Sequence, residues 1–171
     1  MKLAMNMIGQ YAVIRVRPEE YTQRMIMTGT AVEGTENISG GMEKVVVGRV
    51  LTCTDVEGTH LHECTVDVGG PETLHIVCGA PNVAAGQLVP VALDGAHLPG
   101  GVKIKKGKLR GVASNGMLCS GEELCLKESD YPGAEVHGIL ILQGDWAPGT
   151  DMRQVLQLDD VIVDFKITAN R

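Results

Sequence analysis

The sequence predicts a mainly β protein, built around a small and strongly bent barrel with a short α/β flank. Three observations lead to this class. Runs of β-branched residues fill the middle of the 171-residue chain, 22 glycines are spread between short runs, and the one strong helix signal lies near the N-terminus. Short strands interrupted by glycine bend easily, which favours a barrel over a flat sheet.

The helix signal covers residues 18–28. Pro18 suits the first turn of a helix, the two glutamates after it favour the positive end of the helix dipole, and Gly29 supplies a stop. A shorter helix is a candidate around Asn6 to Gln10. The opening of the chain is therefore expected to supply the helical part of the flank.

Seven runs in the middle of the chain are predicted as strands, because they combine β-branched residues with turn residues at their boundaries. They are Val45 to Cys53, Glu63 to Val68, Thr73 to Cys78, Leu88 to Leu93, Lys103 to Lys106, Lys108 to Ala113 and His137 to Leu142. One more strand is predicted from Asp160 to Thr168, where apolar residues alternate and share one side.

Two turn-rich dipeptides mark the expected domain boundaries. Gly40-Gly41 precedes the first long β run, and Pro148-Gly149 follows the last of the short ones. The barrel domain is therefore predicted at 41–150. The lobe beside it would consist of residues 1–40 and a returning strand within 151–171.

Composition excludes several classes of protein. No apolar run approaches the ~18 residues that span a bilayer, and Asn6, Gln10 and Arg15 interrupt the opening where a signal peptide would need an apolar core. No membrane partner is expected, and the predicted location is the cytoplasm. The five cysteines form an odd set without a Cys-x-x-Cys pair, which suits reduced thiols.

The charge pattern contains a local reversal of sign. The chain has 15 Lys and Arg against 21 Asp and Glu, yet no carboxylate occurs between Asp94 and Glu122. Within that window lies the cationic segment, which consists of Lys103, Lys105, Lys106, Lys108 and Arg110. A cationic stripe on an acidic protein predicts a localised anion site.

Two interpretations of the cationic segment stay open from charge alone. Lysines on an exposed edge strand can simply prevent unwanted sheet pairing, or they can contact nucleic-acid phosphates. Strand alternation changes parity at Lys106-Gly107, so a bulge or turn is predicted there that keeps all five cations in solvent. No aromatic residue lies within or beside the segment, which argues against base stacking.

Other constellations in the sequence carry little chemistry. His60, His62 and Cys64 alternate along one stretch, but their spacing matches no common zinc site. Cys119 with His97 or His137 lacks the surroundings of a nucleophile and its base. No catalytic or metal-binding residue is therefore assigned within this chain.

The segment from Ile76 to Ser120 carries a long series of identifiable motifs. They are Cys78-Gly79-Ala80-Pro81-Asn82-Val83, Pro90-Val91-Ala92, Leu98-Pro99-Gly100-Gly101, Lys105-Lys106, Lys108-Leu109-Arg110-Gly111-Val112 and Gly116-Met117-Leu118-Cys119-Ser120. This series resembles the tRNA-binding OB-fold domain near the start of the bacterial phenylalanine-tRNA ligase beta subunit. The resemblance continues into both flanks, including the Pro18-Glu19-Glu20 helix start and Leu158-Asp159-Asp160.

The resemblance implies a specific fold and role. The fold would be a five-stranded OB-fold barrel inserted between the halves of a small α+β lobe. The chain would be an N-terminal fragment that binds tRNA and catalyses nothing by itself, with the five cations of the cationic segment as its RNA-binding residues. The alternatives are an interdomain protein-interaction module without RNA contact, or a free-standing tRNA-binding OB protein.

The resemblance also implies partners and cofactors of the larger enzyme. The full ligase uses ATP and magnesium, whereas no cofactor is expected in this fragment. Its partners would be phenylalanine-specific tRNA, the rest of the beta subunit and the alpha subunit, in a heterotetramer. One departure stands out: the family's His-Pro-x-Ala-Asp-Lys-Leu loop is replaced by the shorter Asp55 to Leu61, with His60 roughly in place of the lysine.

Overall fold

A computed structural model describes residues 1–109 and 111–167 of the chain. In chain order the elements are β1 (Lys2–Ala4), α1 (Met5–Gly9), α2 (Pro18–Met27), β2 (Ala31–Asn37), β3 (Glu43–Asp55), β4 (His62–Asp67), β5 (Leu74–Cys78), β6 (Leu88–His97), β7 (Gly107–Leu109), β8 (Val112–Ser114), β9 (Gly116–Leu118), α3 (Met152–Val155) and β10 (Val161–Lys166). The prediction of a mainly β chain is confirmed.

The chain divides into two compact units. One contains Met1–Gly40 together with the segment from Gln157 onward, and the other is Gly41–Leu156. The first unit is a lobe with an antiparallel sheet in the order β1-β10-β2. Its sheet therefore combines strands from both ends of the sequence, and the second unit is an insertion between them in the chain.

The lobe begins with the elements that the sequence predicts. Pro18 occupies the first turn of α2, and the helix ends within one residue of the predicted stop. The register between β10 and β2 shifts at Asp164 and Phe165, where Glu33 of β2 is the extra residue, so β10 itself keeps its alternation. Val163 and Phe165 accordingly both lie in the interior, with exposed fractions of 0% and 4%.

The second unit is a nearly closed five-stranded antiparallel barrel of the OB type. Its strand order is β5-β4-β3-β6-β9, and β5 also lies beside β9, so the two ends of the sheet approach each other. The long strand β3 makes this possible because it pairs with β4 near its end and with β6 near its beginning. The prediction of a five-stranded OB-fold barrel is confirmed.

Alternating residues of the barrel strands form its interior. Val50, Val66, Ile76, Val89 and Val91 are fully buried in one cluster. The strands approach closely at Gly48, where an added Cβ would lie 2.5 Å from a methyl group of Val91. A larger residue at this position of β3 would therefore displace its neighbours.

Three predicted strands have a different structure. Residues 103–106 form only an isolated bridge between Lys103 and His97, and residues 137–142 are irregular. The predicted strand from Lys108 to Ala113 is instead the β7-β8 hairpin, and Gly111 adopts φ 89° in its turn. A glycine in the left-handed region reverses the chain, which an alternation pattern alone does not reveal.

No helix in residues 1–109 and 111–167 is long and apolar enough to span a membrane.

Candidate nucleic-acid interface

The first part of the cationic segment folds back onto the end of β6. Three backbone hydrogen bonds form this return: Gly95 N–H to Ile104 O at 2.8 Å, Ile104 N–H to Ala96 O at 2.8 Å, and Leu98 N–H to Val102 O at 2.8 Å. The turn between them contains Gly100 and Gly101, which have φ values of 89° and 85°. The Leu98-Pro99-Gly100-Gly101 motif is thus a tight turn that places the lysines after it.

Alternation along this returning segment separates apolar from charged side chains. Ile104 is half-buried and packs against the core, whereas Lys103 and Lys105 on either side are exposed. The alternation ends at Lys106, whose backbone N–H donates to the Asp94 carboxylate at 2.9 Å. The change of direction predicted at Lys106-Gly107 therefore coincides with a side chain that anchors the backbone.

The second part of the cationic segment lies on the β7-β8 hairpin. Lys108 pairs with Ala113 across the hairpin, and its side chain is exposed. A backbone hydrogen bond from Asn115 N–H to His75 O, 2.9 Å long, joins the end of the hairpin to β5. Arg110 lies outside the described residues.

An open groove of about 670 Å³ runs between the cationic segment and the barrel. Lys103, Lys105 and Lys108 line it together with residues 78–81 and the stretch around Ile139. Three of the five predicted site residues thus share one groove, whereas Lys106 is exposed but does not line it.

The lysines of this surface are free to neutralise an external anion. Within residues 1–109 and 111–167, no carboxylate oxygen lies within 4.0 Å of the Nζ atoms of Lys103, Lys105, Lys106 or Lys108. Lys2 and Lys166 are paired with Glu36 and Glu33 at 3.6 and 3.4 Å, whereas the exposed Lys44 and Lys127 have no ion pair within the described residues. Unpaired ammonium groups that lie close together on the cationic segment favour binding to a phosphate backbone.

Sequence reasoning missed several residues that line the groove. Glu122, Glu123 and His137 also contribute to it, although they lie more than ten residues beyond the cationic segment. No spacing signal links them to the lysines, since they belong to irregular segments. Asn82 holds one of these segments in place, because its side-chain amide donates to Ile139 O and accepts from Ile139 N–H, both at 2.9 Å.

The histidines and cysteines have other partners in the barrel unit. His62 Nδ1 lies 2.7 Å from the Asp55 carboxylate, and the described residues contain no cluster of three His, Cys, Asp or Glu arranged for a metal. Burial raises the pKa of Cys64 to about 12, and that of Cys119 to about 12 as well. Burial also raises the pKa of Cys78 at the groove. At neutral pH these thiols are therefore protonated and poor nucleophiles.

The nearly closed five-stranded sheet defines a small OB-type barrel domain, and the cationic segment lies beside its groove. Its sequence matches the family model described as "Putative tRNA binding domain" over residues 45–151. The chain belongs to this tRNA-binding domain family.

Curated relatives extend the similarity beyond that domain. The chain is 42% identical over its whole length to the phenylalanine-tRNA ligase beta subunit of Lactobacillus johnsonii, of which it covers 22%. It is 44% identical over its whole length to the same subunit of Latilactobacillus sakei, covering 21%, and 49% identical over 92% of its length to that of Streptococcus pneumoniae serotype 4, covering 20%. The resemblance stated from the sequence is confirmed, and the chain spans about a fifth of these relatives.

Proposed function

We propose that this chain binds tRNA through Lys103, Lys105, Lys106, Lys108 and Arg110, as the tRNA-binding OB-fold part of a phenylalanine-tRNA ligase beta subunit. The observation that carries the proposal is the placement of three exposed lysines without ion-pair partners along one groove of the barrel. The match to a tRNA-binding domain family supports it. Phosphate neutralisation requires positive charge on a rigid surface, with no acid or base chemistry.

Binding of this kind is expected to be salt-sensitive and weakly base-specific. The described part of the cationic segment offers exposed ammonium groups but no aromatic side chain for stacking. If all five cations contact phosphates, the slope of log K against log salt is about -3.5 for single strands and about -4.5 for duplex-like RNA.

A charge-reversal experiment tests the proposal. The variant with Lys105→Glu and Lys108→Glu is expected to lose nearly all affinity for a phenylalanine-specific tRNA transcript at low salt, measured by mobility shift and by fluorescence anisotropy. The control variant carries Lys127→Glu and Lys166→Glu, which make the same change in net charge away from the groove. Equal loss in both variants, or unchanged binding in the first, contradicts the proposal.

The wider context of the proposal is the complete ligase. There the chain would act with the rest of the beta subunit and with an alpha subunit in a cytoplasmic heterotetramer that uses ATP and magnesium to attach phenylalanine to its tRNA. The fragment alone is proposed to position tRNA and to catalyse nothing. The division into a barrel domain at 41–150 and a lobe formed by 1–40 and 151–171 stays a prediction.

A second candidate function is favoured by the surface of the lobe. Tyr11, Val13 and Met27 expose 84%, 81% and 86% of their surface, and neither α1 nor α2 contains a buried residue. A protein-interaction role predicts exposed apolar surface of this kind. Beside the closing strand Ile167 is exposed as well, whereas Val163 and Phe165 are buried. A chain with this role alone would show no affinity for tRNA at low salt.

A further inference from the structure

The β7-β8 hairpin is too small to hold its own position. Each strand has three residues, and the two strands form a separate two-stranded sheet. An isolated hairpin of this size is marginally stable in water, so contacts to the barrel must fix it. Because Lys108 lies on this hairpin, the same contacts decide where one cation of the proposed tRNA site is placed. The inference therefore rests on the proposed function.

These contacts come from side chains on both sides of the barrel seam, which is the place where β5 lies beside β8 and β9. His75 on β5 places its Nδ1 2.9 Å from Ala113 O. Ser114 on β8 accepts from Val77 N–H at 3.1 Å and donates to Gly116 O at 2.9 Å. Two side chains thus satisfy backbone groups at the edge of β5 and at the end of the hairpin, where the two ends of the barrel sheet approach each other.

The geometry fixes the hydrogen-bonding state of His75. A carbonyl oxygen can only accept, so the nitrogen that faces Ala113 must carry a proton. The other ring nitrogen faces the Glu63 carboxylate at 3.5 Å. His75 therefore joins β5 to β8 through Nδ1, whereas an ion pair from Nε2 to Glu63 requires a doubly protonated ring.

These contacts act directly opposite the cation. Ala113, which receives the His75 hydrogen bond, is the cross-strand partner of Lys108, and Ser114 is the partner of Gly107. Val77, whose N–H is bound by Ser114, also lines the groove. These bonds therefore tie β8, the cross-strand partner of the strand that carries Lys108, to β5, which also lines the groove.

We propose that His75 and Ser114 are positioning residues of the tRNA site: their hydrogen bonds across the barrel seam hold the β7-β8 hairpin so that Lys108 faces the groove. Neither residue needs to contact RNA for this role. Without these side-chain bonds only the backbone hydrogen bond from Asn115 N–H to His75 O still joins the end of the hairpin to β5, so Lys108 is held less firmly beside Lys103 and Lys105.

The test compares variants of the whole 171-residue chain. His75→Leu and Ser114→Ala are expected to weaken binding of a tRNA transcript roughly fivefold and to make the salt slope shallower by about 1, which is the effect of one lost phosphate contact. Lys108→Gln should give the same slope, and adding His75→Leu to it should change little further. A purely structural defect would lower the active fraction and leave the slope unchanged.

Two further variants separate positioning from loss of a histidine. His75→Asn keeps a donor near the place of Nδ1 and is expected to restore both the affinity and the slope. His62→Leu removes a histidine that is also paired with a carboxylate but does not line the groove, and it should leave the slope unchanged. A slope that His75→Leu leaves unchanged, or that His62→Leu changes equally, overturns the proposal.

Hydrogen exchange gives a second readout that does not depend on RNA. The amides of Val77 and Asn115, which donate to Ser114 Oγ and to His75 O, should exchange faster in Ser114→Ala and in His75→Leu, while those of β3 and β6 keep their protection. Unchanged exchange at these amides overturns the positioning role even if tRNA binds. If the wild-type chain does not bind tRNA at all, the proposed function fails, whereas the exchange data still report on the seam.

Discussion

At the scale of single residues, Asp151 connects charge with local structure. Its carboxylate accepts from Arg153 N–H at 2.8 Å and from the guanidinium of the same residue at 2.7 Å, so it caps the short helix α3. The side-chain hydrogen bond to Arg153 is the main cause that lowers the Asp151 pKa, and the partial burial of the carboxylate opposes it.

The lowered pKa of Asp151 predicts a dependence of stability on pH. The contribution of this carboxylate is fully present above its ordinary pKa of 3.8 and is lost as the pH falls through the lower pKa of the folded protein. Asp151→Asn should therefore remove part of the acid sensitivity that urea unfolding measures below about pH 4. Glu57→Gln, at an exposed carboxylate that forms no ion pair within the described residues, is the control that should leave this dependence unchanged.

Gly121 gives a prediction about packing. A Cβ at this position would clash with the Ala134 carbonyl and lie 2.6 Å from Ala134 Cα, and neither backbone atom can rotate away. Gly121→Ala is expected to lower the free energy of unfolding by about 3 kcal/mol, measured by thermal and urea unfolding. Gly70→Ala, whose nearest neighbour would be Glu72 O at 3.8 Å, should be nearly neutral. Equal stability of the two variants contradicts this account.

At the scale of elements, backbone turns determine where the lysines are. An alternating pattern identifies Lys103 and Lys105 as one face, but the direction of that face depends on the turn at Gly100 and Gly101. Similarly, the run from Lys108 to Ala113 has the composition of one strand and forms two. In both cases a residue in the left-handed region, which glycine adopts without penalty, changes the direction of the chain.

The turn predicts a specific effect of Gly101. Its φ is 85° and no atom lies within 4 Å of an added Cβ, so substitution strains only the backbone. Gly101→Val should cost about 2 kcal/mol and lower the tRNA affinity, because the lysines after the turn shift. Gly101→Asn, which tolerates the left-handed region, should have a smaller effect on both. Unfolding curves measure the loss of stability in the two variants, and salt titrations measure their tRNA affinity. Equal effects of the two substitutions contradict the role of the turn.

At the scale of the whole molecule, the core and the proposed site belong to one unit. Both clusters of buried residues found in the described chain draw all their members from residues 42–155. The residues that line the groove come from positions 77–139 of the sequence, which is within the same range. The whole chain has a net charge of -6, so the cationic segment is a local region of opposite charge.

This distribution predicts that the barrel unit is sufficient for binding. A shortened chain of residues 41–156 should unfold in one cooperative transition and bind tRNA with the same salt slope as the full chain. Calorimetry and anisotropy titrations measure these two properties. A shortened chain that folds but has a much shallower slope would indicate that the lobe contributes phosphate contacts.

Much of this fold is encoded locally. The helix start at Pro18, the runs that became β3 to β6 and the change at Lys106-Gly107 follow from periodicity and turn chemistry. The irregular course of residues 137–142 could not be predicted, since their backbone groups are satisfied by distant partners: Asn82 binds Ile139, and Leu88 O accepts from Leu142 N–H at 2.8 Å. The β-rich composition of residues 137–142 is compatible both with a strand and with an irregular segment.

The sequence by itself determined the OB-type class of this protein, the positions of its cations and its family resemblance, because these depend on residue order and local preference. Only the tertiary structure decided which cations share a groove. It also decided that Glu122 and His137 line the same groove, and that His75 and Ser114 join the hairpin to β5. The physical reason is that hydrogen bonds between strands distant in sequence, together with left-handed turns, set the direction of each side chain.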